Sequence, residues 1–481
     1  MARLTRDILD TAQAGPTVIR GGVLRVAGYG AGVLLGVGSA ALLLRYLPVA
    51  DFGRYTAAVS LVTIVAGLTD AGMTSIGVRE YTVREGEDRD RLMRNLLGMR
   101  IALTLAGVAI AIGFAAVAGY TDPVVVGVAM AGVALVVQVV QGTVAVPLQS
   151  SLRLGWVTGL DLLRQAGIVL VLVAAVLAGA SLAVLLAAPL PVAIVLLAIT
   201  LVLVRDAVPI RPAFDRTAWW ALLALTLPFA AATAVGTIYV YLTIVLMSLV
   251  ASEQQTGIFG ASFRVFIVLG GVPGLLIMTA FPLLARAARD DRQRLAYALQ
   301  RLFEICVICG VGIAIVVAVA APTVIEVLGG EEYADAAGVL RVQSIALFAS
   351  FLVGLGGYAL LSLRRHRALL IANAVALVTS AGLTLALAPG LGAMGAACAS
   401  VAGELALAIG YLVALLRGPD AVRLSLAILP PVALAAMASG SVVLLPVPTA
   451  VAAAISGIVF VAVLIALRAV PAELAEAWRS R

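Results

Sequence analysis

Long apolar runs separated by short polar connections make up the chain, and their lengths predict helices that cross a bilayer. A hydrocarbon core of about 30 Å takes about 20 helical residues at 1.5 Å each. Windows of that size fall at 22 to 46, 53 to 78, 95 to 118, 124 to 148, 156 to 178, 182 to 204, 219 to 247, 257 to 285, 298 to 321, 336 to 362, 368 to 388, 392 to 416, 424 to 445 and 449 to 468. The expected fold class is therefore an all-α integral membrane protein of about 14 transmembrane helices. With 63% hydrophobic and 12% charged residues, the composition has more apolar surface than a soluble domain can hide.

Charge sets the orientation. All 32 basic residues are arginine, and 25 of them fall in alternate connections and at the two ends: Arg79 to Arg94, Arg153, Arg205 to Arg216, Arg286 to Arg301, Arg364 to Arg367 and Arg417 to Arg423, plus both termini. Cationic connections resist translocation, so both termini are expected on the cytoplasmic side of the inner membrane. The opposite connections are short or acidic, as in Asp122-Pro123, Glu253-Gln254-Gln255 and the run Glu326, Glu331, Glu332, Asp335. The net charge of +7 thus reflects topology, and no nucleic-acid partner is expected. The stretch Met1 to Pro16 carries Arg3, Arg6, Asp7 and Asp10 and reads as a surface segment instead of a cleaved leader.

Several chemistries are excluded or disfavoured by residue type. Without lysine there is no Walker-type phosphate loop and no Schiff base. His366 is the one histidine, and Cys306-x-x-Cys309 lies in an apolar run with Cys398 far away, so no metal and no cofactor is expected. Membrane glycosyltransferases and polymerases need external loops that carry acidic residues, and this chain has no room for them. Asp51 and Glu253 are the short-loop candidates for such a role, and neither has a partner in sequence. Asp290-Asp291, set among Arg286, Arg289, Arg292 and Arg294, reads as a self-neutralising loop.

An internal repeat organises the helices. A shift of about 204 residues lays Phe52-Gly53-Arg54-Tyr55-Thr56-Ala57 on Thr256-Gly257-Ile258-Phe259-Gly260-Ala261, and it lays the arginine-rich loop Arg84 to Arg94 over Arg286 to Arg294. With a few inserted residues, Ser151-Leu152-Arg153 meets Ser362-Leu363-Arg364. The unit is six spans, an even number, so both copies point the same way. The expected division is 1–205 as an N-terminal lobe, 206–417 as a C-terminal lobe with a cleft between them, and 418–481 as two additional spans. Gly28, Gly32 and Gly36 form a small-residue stripe for close helix packing. Gly270-Gly271-Val272-Pro273-Gly274 predicts a kink in the eighth span, and Pro228 and Pro282 are weaker hinge candidates.

Eight ionisable residues fall inside the spans: Arg25, Asp70, Arg100, Asp161, Arg164, Arg264, Glu304 and Glu404. Unpaired, they would cost on the order of 20–28 kcal/mol on the insertion scale, so they must pair or face water. Asp161 and Arg164 are three residues apart and can neutralise each other. Arg25, Arg100 and Arg264 have no acidic neighbour within a turn and are the candidate cavity arginines. Their planar forks suit phosphate oxygens, while pairing with Asp70, Glu304 or Glu404 across helices is the structural alternative. Asp70, Glu304 and Glu404 are coupling or structural charges, and a desolvated Glu404 could carry protons.

The string Leu44-Arg45-Tyr46-Leu47-Pro48-x-x-Asp51-Phe52-Gly53-Arg54-Tyr55 resembles the Wzx-type polysaccharide flippases of the multidrug/oligosaccharidyl-lipid/polysaccharide exporter superfamily. Asp70-Ala71-Gly72-Met73, Arg79-Glu80-Tyr81, Gly257-Ile258-Phe259 and Leu391-Gly392-Ala393-Met394-Gly395-Ala396-Ala397 support the resemblance. It implies a transporter, not an enzyme, that carries a polyprenyl-diphosphate-linked glycan across the membrane by alternating access. Membrane lipid, a polysaccharide polymerase and glycosyltransferases are the implied partners. Arg25 and Arg264 match regions where related lipid II flippases have cavity arginines. Many relatives have an aspartate in the seventh span, where this chain has Tyr239-Val240-Tyr241-Leu242-Thr243. The alternatives are a lipid II flippase, a multidrug or metabolite cation antiporter of the same superfamily, and an intramembrane glycosyltransferase or polymerase.

Overall fold

The structure, a computed structural model, describes residues 14–70, 72–151, 153–205, 211–417, 422 and 424–469; the side chains of 14–29, 154, 225, 226, 228–230, 232, 275, 276, 279, 282 and 290 are outside the described set. Backbone amides and carbonyls have no water to bond in hydrocarbon, and helices satisfy them within one segment. The order is α1 (Ala14–Tyr46), α2 (Val49–Asp70), α3 (Met73–Val83), α4 (Gly86–Val117), α5 (Asp122–Val144), α6 (Val146–Ser150), α7 (Leu154–Leu177), α8 (Leu182–Ala187) and α9 (Pro189–Val204). It continues with α10 (Arg216–Val250), α11 (Glu253–Gly270), α12 (Val272–Asp290), α13 (Arg292–Gly329), α14 (Ala336–Ser362), α15 (His366–Leu416), α16 (Leu429–Gly440) and α17 (Thr449–Ala466).

Among the described residues, 11 helices are long and apolar enough to cross a membrane. The spans expected at 368–388 and 392–416 are the two helical arms of α15, which meet at a kink at Gly392, where φ is 56°. Those expected at 22 to 46 and 424 to 445 coincide with the shorter apolar helices 30–46 and 429–444. A total of fourteen therefore requires α15 to cross twice and each short helix once. The break expected at Gly270-Gly271 is present, since α11 ends at Gly270 and α12 begins at Val272. At the bend in α15 the Ala393 amide donates to the Gln255 side chain at 2.8 Å, which replaces a helical bond lost there. A non-glycine residue would be strained at that φ.

The chain groups into two compact units. One comprises Met1–Leu42 with Val65–Ala230, the other Leu43–Ile64 with Ala231–Arg481. In the first, α3, α4, α6, α7 and α9 surround Met73, Met93, Leu96, Met99, Val146 and Leu196. The segment before α10 is tied onto α4: Ala213 N–H donates to the Arg94 carbonyl at 2.8 Å, and Arg91 pairs with Asp215 at 3.1 Å. The backbone amide of Ala218, then Arg91 and the amide of Thr217, hold the Asp215 carboxyl below the usual range. In the second unit α13, α14 and α15 close on Phe303, Val307, Phe351, Leu355, Leu407 and Tyr411. Buried Cys306 belongs to that apolar cluster, and the described cysteines are free. The last two helices join each other through Ser439 and Ser456, whose hydroxyls lie 2.7 Å apart. They join α13 through a Thr323–Thr449 hydroxyl contact.

Repeat-equivalent helices meet inside the second unit. A Cβ at Gly53 would strike the Glu253 carbonyl oxygen, and one at Gly257 would strike the Val49 carbonyl oxygen. The repeat shift exchanges these two contacts, because it carries 49 to 253 and 53 to 257. Thr56, which it carries to 260, packs on Gly260 with side-chain atoms 3.0–3.3 Å from where a Cβ would sit. The first turns of α2 and α11 thus cross about a local two-fold at backbone contact, and glycine is the residue type that permits it. Buried Phe52 seals the crossing by stacking edge-on against Tyr333, at 5.9 Å between ring centres. The Tyr333 hydroxyl donates to the Leu47 carbonyl at 3.1 Å, and Arg45 donates to the Val327 carbonyl in the last turn of α13 at 2.7 Å. In the stripe on α1, Gly32 packs on Gln165 but a Cβ at Gly36 would meet open space, and Gly28 lies outside the described side chains. Close packing along that stripe is confined to Gly32 among the described positions.

Gly257→Ala should therefore destabilise the protein by on the order of 1–3 kcal/mol, the usual effect of overpacking a tight contact. Gly36→Ala should leave stability unchanged or slightly raised. Thermal unfolding of the two variants in detergent checks this, and equal melting temperatures would contradict the crossing.

Candidate functional site

The ionisable residues within the spans fall into distinct groups by partner. Arg100, on α4, is 3% exposed. It donates to the Asp70 carboxylate at 2.5 Å and to the Thr74 hydroxyl at 3.0 Å. That arrangement ties α4 to the junction of α2 and α3 and engages two of the three guanidinium nitrogens, while Nε has no partner. Asp161 and Arg164 pair with each other at 3.0 Å on α7, both substantially exposed. Glu304 accepts from Arg301 and Gln300 of its own helix, each at 2.8 Å. Arg25 lies in the stretch of α1 whose side chains are outside the described set.

Arg264 differs from these. It projects from the middle of α11, half-buried, and among the described residues it has no ion-pair partner. Its electrostatic neighbours are the hydroxyls of Tyr55 on α2 and Tyr241 on α10. Tyr241 in turn meets the edge of Phe263 at 6.0 Å, and Phe263 stacks on Phe259 at 5.8 Å. A guanidinium among aromatic rings is less hydrated than one in water, and its donor fork stays open to an anion. The neighbouring arginine of the family-like string, Arg54, is engaged instead. It pairs with Asp51 at 2.8 Å and with Glu253 at 2.6 Å, which joins the first turns of α2 and α11 beside the glycine crossing.

A second group gathers around Glu404, in the second arm of α15. Its side chain is buried, and Oε2 has no hydrogen-bond partner. The Tyr239 hydroxyl of α10 is an electrostatic neighbour of this carboxylate. One turn further along α10, the Thr243 hydroxyl lies 3.0 Å from Ser380, in the first arm of α15. Asn373 of that arm donates to the Tyr411 hydroxyl of the second arm at 2.7 Å. Gly403 lets the Tyr239 ring and Ser380 approach to about van der Waals contact with the backbone, at 3.0 and 2.9 Å from the position a Cβ would take. The result is a buried polar network joining α10 to both arms of α15, with one carboxylate at its centre.

Sequence reasoning picked out Glu404 and marked the stretch from Tyr239 to Thr243, but it assigned no role to Asn373, Ser380 or Tyr411. The signal for these was polar residues at helical spacing on the buried faces of otherwise apolar spans. No three His, Cys, Asp or Glu side chains cluster as a metal site among the described residues.

A family model described as polysaccharide biosynthesis protein matches residues 42–338. No curated protein matches the sequence. Among solved structures, the chain superposes on the lipid II flippase MurJ, inward closed conformation, with a TM-score of 0.76 at 13% identity over 93% of this chain and 99% of that one. It also superposes on an inward-facing multidrug resistance MATE family transporter of the MOP superfamily, with a TM-score of 0.65 at 15% identity over 82% of this chain and 97% of that one. A MATE protein in complex with Br-NRF gives 0.52 at 16% identity, over 82% and 94% of the two chains. At such identities the likeness establishes the fold.

The ion pairs make a stability prediction. Arg100→Ala strands Asp70 and a buried helix contact and should lower stability by about 2 kcal/mol, the scale of a charged hydrogen bond. Arg164→Ala removes an exposed pair and should change it by less than about 1 kcal/mol. Denaturation of both variants in detergent checks this, and an Arg100→Ala protein as stable as Arg164→Ala would show that the α4 tie is not needed.

Proposed function

The chain belongs to the polysaccharide biosynthesis protein family, and from that premise we propose that it flips a polyprenyl-diphosphate-linked oligosaccharide across the cytoplasmic membrane by alternating access. It is a multi-pass membrane protein with the transporter fold of the MOP superfamily. The observation that carries the reading is Arg264. It is a half-buried cation in a membrane-spanning helix with no ion-pair partner among the described residues, beside two tyrosine hydroxyls. Such a charge is expensive in hydrocarbon unless an anion or water meets it, and a diphosphate offers the matching oxygens. Arg25 joins Arg264 in this role, whereas Arg100, held by Asp70, acts as a structural tie.

The arginine-rich connections support a cytoplasmic location for both termini, in the cell that makes the glycan. Glycosyltransferases there would supply the lipid-linked substrate, and a polymerase on the opposite face would consume it. Glu404 takes the coupling role: a buried carboxylate with an oxygen that has no hydrogen-bond partner, beside the Tyr239 hydroxyl, can bind and release a proton as the helices rearrange.

A second reading has its own support. A multidrug or metabolite cation antiporter would use a buried acid among aromatic rings, and Glu404 sits with Tyr239 and Tyr411 in that way. The two readings differ in which residue touches cargo.

Reconstituted into liposomes with a fluorescent polyprenyl-diphosphate glycan, Arg264→Ala should translocate at least roughly tenfold more slowly than wild type, which is the loss of one charged hydrogen bond to phosphate. Glu404→Gln should still bind the glycan but should lose any acceleration by an imposed proton gradient. Glycan flipping that survives Arg264→Ala unchanged, with cation export abolished by Glu404→Gln, would transfer the assignment to the antiporter.

A further inference from the structure

The two arginine-rich loops that the repeat superimposes have become different surfaces. In the first unit, a cavity of about 500 Å³ is lined by Arg84 and Arg91 and by Asp88 and Asp215. Charges there balance, and Arg91 is paired with Asp215. In the second unit, the end of α12, the start of α13 and the turn after α14 enclose a cavity of about 1060 Å³. Among the described side chains its wall carries Arg286, Arg289, Arg292 and Arg364 and one acid, Asp291. The Asp291 carboxylate is engaged as the cap of α13, accepting from the Arg294 amide at 3.0 Å. Arg289 and Arg292 have interactions of their own, which leaves Arg286 and Arg364 as the donors offered to a ligand.

Arg364 is held there by the backbone. It ends α14 in the left-handed region, at φ 56°, with its amide bonded to the Leu361 carbonyl at 3.0 Å and the Arg365 amide to Leu360 at 2.9 Å. Glycine is the residue that usually fills this place after a helix, and an arginine there is strained. The next residue, Arg365, turns away to the carbonyls of Ala414 and Arg417. Opposite the guanidinium groups the wall is apolar, with Phe281, Leu295 and Leu361.

We propose that this cavity is a binding site for a phosphate group, held by the arginine forks and accompanied, on the apolar wall, by the hydrocarbon of an amphiphile. Guanidinium groups bind phosphate oxygens in pairs, Arg286 and Arg364 offer two such groups, and an arginine-lined cavity concentrates anions. A phosphate of a membrane lipid on the arginine-rich side and a soluble phosphate share this chemistry, and the apolar wall favours the lipid. The site lies apart from Arg264 and does not depend on the transport reading.

Full-length protein in neutral detergent is titrated with short-chain phosphatidylglycerol, short-chain phosphatidylcholine and inorganic diphosphate, with binding followed calorimetrically at two salt concentrations. Wild type is expected to bind phosphatidylglycerol at least roughly tenfold more tightly than phosphatidylcholine, and more weakly at high salt. Arg286→Gln combined with Arg364→Gly should reduce that binding about tenfold, while Arg364→Gly alone keeps or raises the melting temperature, because glycine suits the backbone. Arg153→Gln, the equivalent position in the first unit, should bind as wild type does. Binding of diphosphate in place of the lipid, lost in the same double variant, keeps the phosphate site and assigns it to a soluble ligand. No binding of either anion by wild type, or equal binding by the double variant, overturns the proposal.

Discussion

Two helices can touch backbone to backbone only where neither carries a side chain at the point of contact, and this constraint governs how α2 and α11 meet. Gly53 and Gly257 remove the obstruction on each side, and the carbonyls of Glu253 and Val49 occupy the space. Around that contact the sequence supplies reinforcement in layers. Phe52 and Tyr333 shield it, and Arg54 binds Asp51 and Glu253 across it. The string that resembles a flippase family is thus, in its buried positions, a packing motif. Its conspicuous arginine is a joint, and the proposed cargo-facing role falls to Arg264, two turns beyond Gly257 along α11.

Desolvation sorts the charges. A lone ion in hydrocarbon is unfavourable by several kcal/mol, so each buried charge in a stable fold has a partner or has a function. Arg100 has Asp70, Glu304 has Arg301, and Arg164 has Asp161. Arg264 and one oxygen of Glu404 remain without such a partner among the described residues. They lie on different helices and in different surroundings, one among open donors and one in a closed hydroxyl and amide network. Those surroundings are the ground for the proposed division of labour between an anion-binding group and a proton-carrying group.

Much of this architecture was legible from hydropathy and the repeat. The helical class, the break at Gly270-Gly271 and the start of a new arm at Gly392 followed from local composition, because each depends on residues close in sequence. The correspondence of Gly53 with Gly257 was also visible as an alignment, although not as a contact. Partner choice was less accessible. Arg100 and Asp70 come from separate helices, Gln255 caps a bend far along the chain, and Asn373 reaches Tyr411 across the two arms of α15. Hydropathy is a one-dimensional signal, and it places a charge at a depth in the membrane without fixing which neighbour faces it.

The proposed cargo is an anionic lipid-linked glycan. The most direct measurement is a paired transport assay on the wild-type protein in liposomes, scoring movement of a polyprenyl-diphosphate glycan headgroup and export of a lipophilic cation in the same preparation. Glycan movement without cation export is the expected result. Cation export driven by a proton or sodium gradient, with the glycan left on its original face, would contradict it.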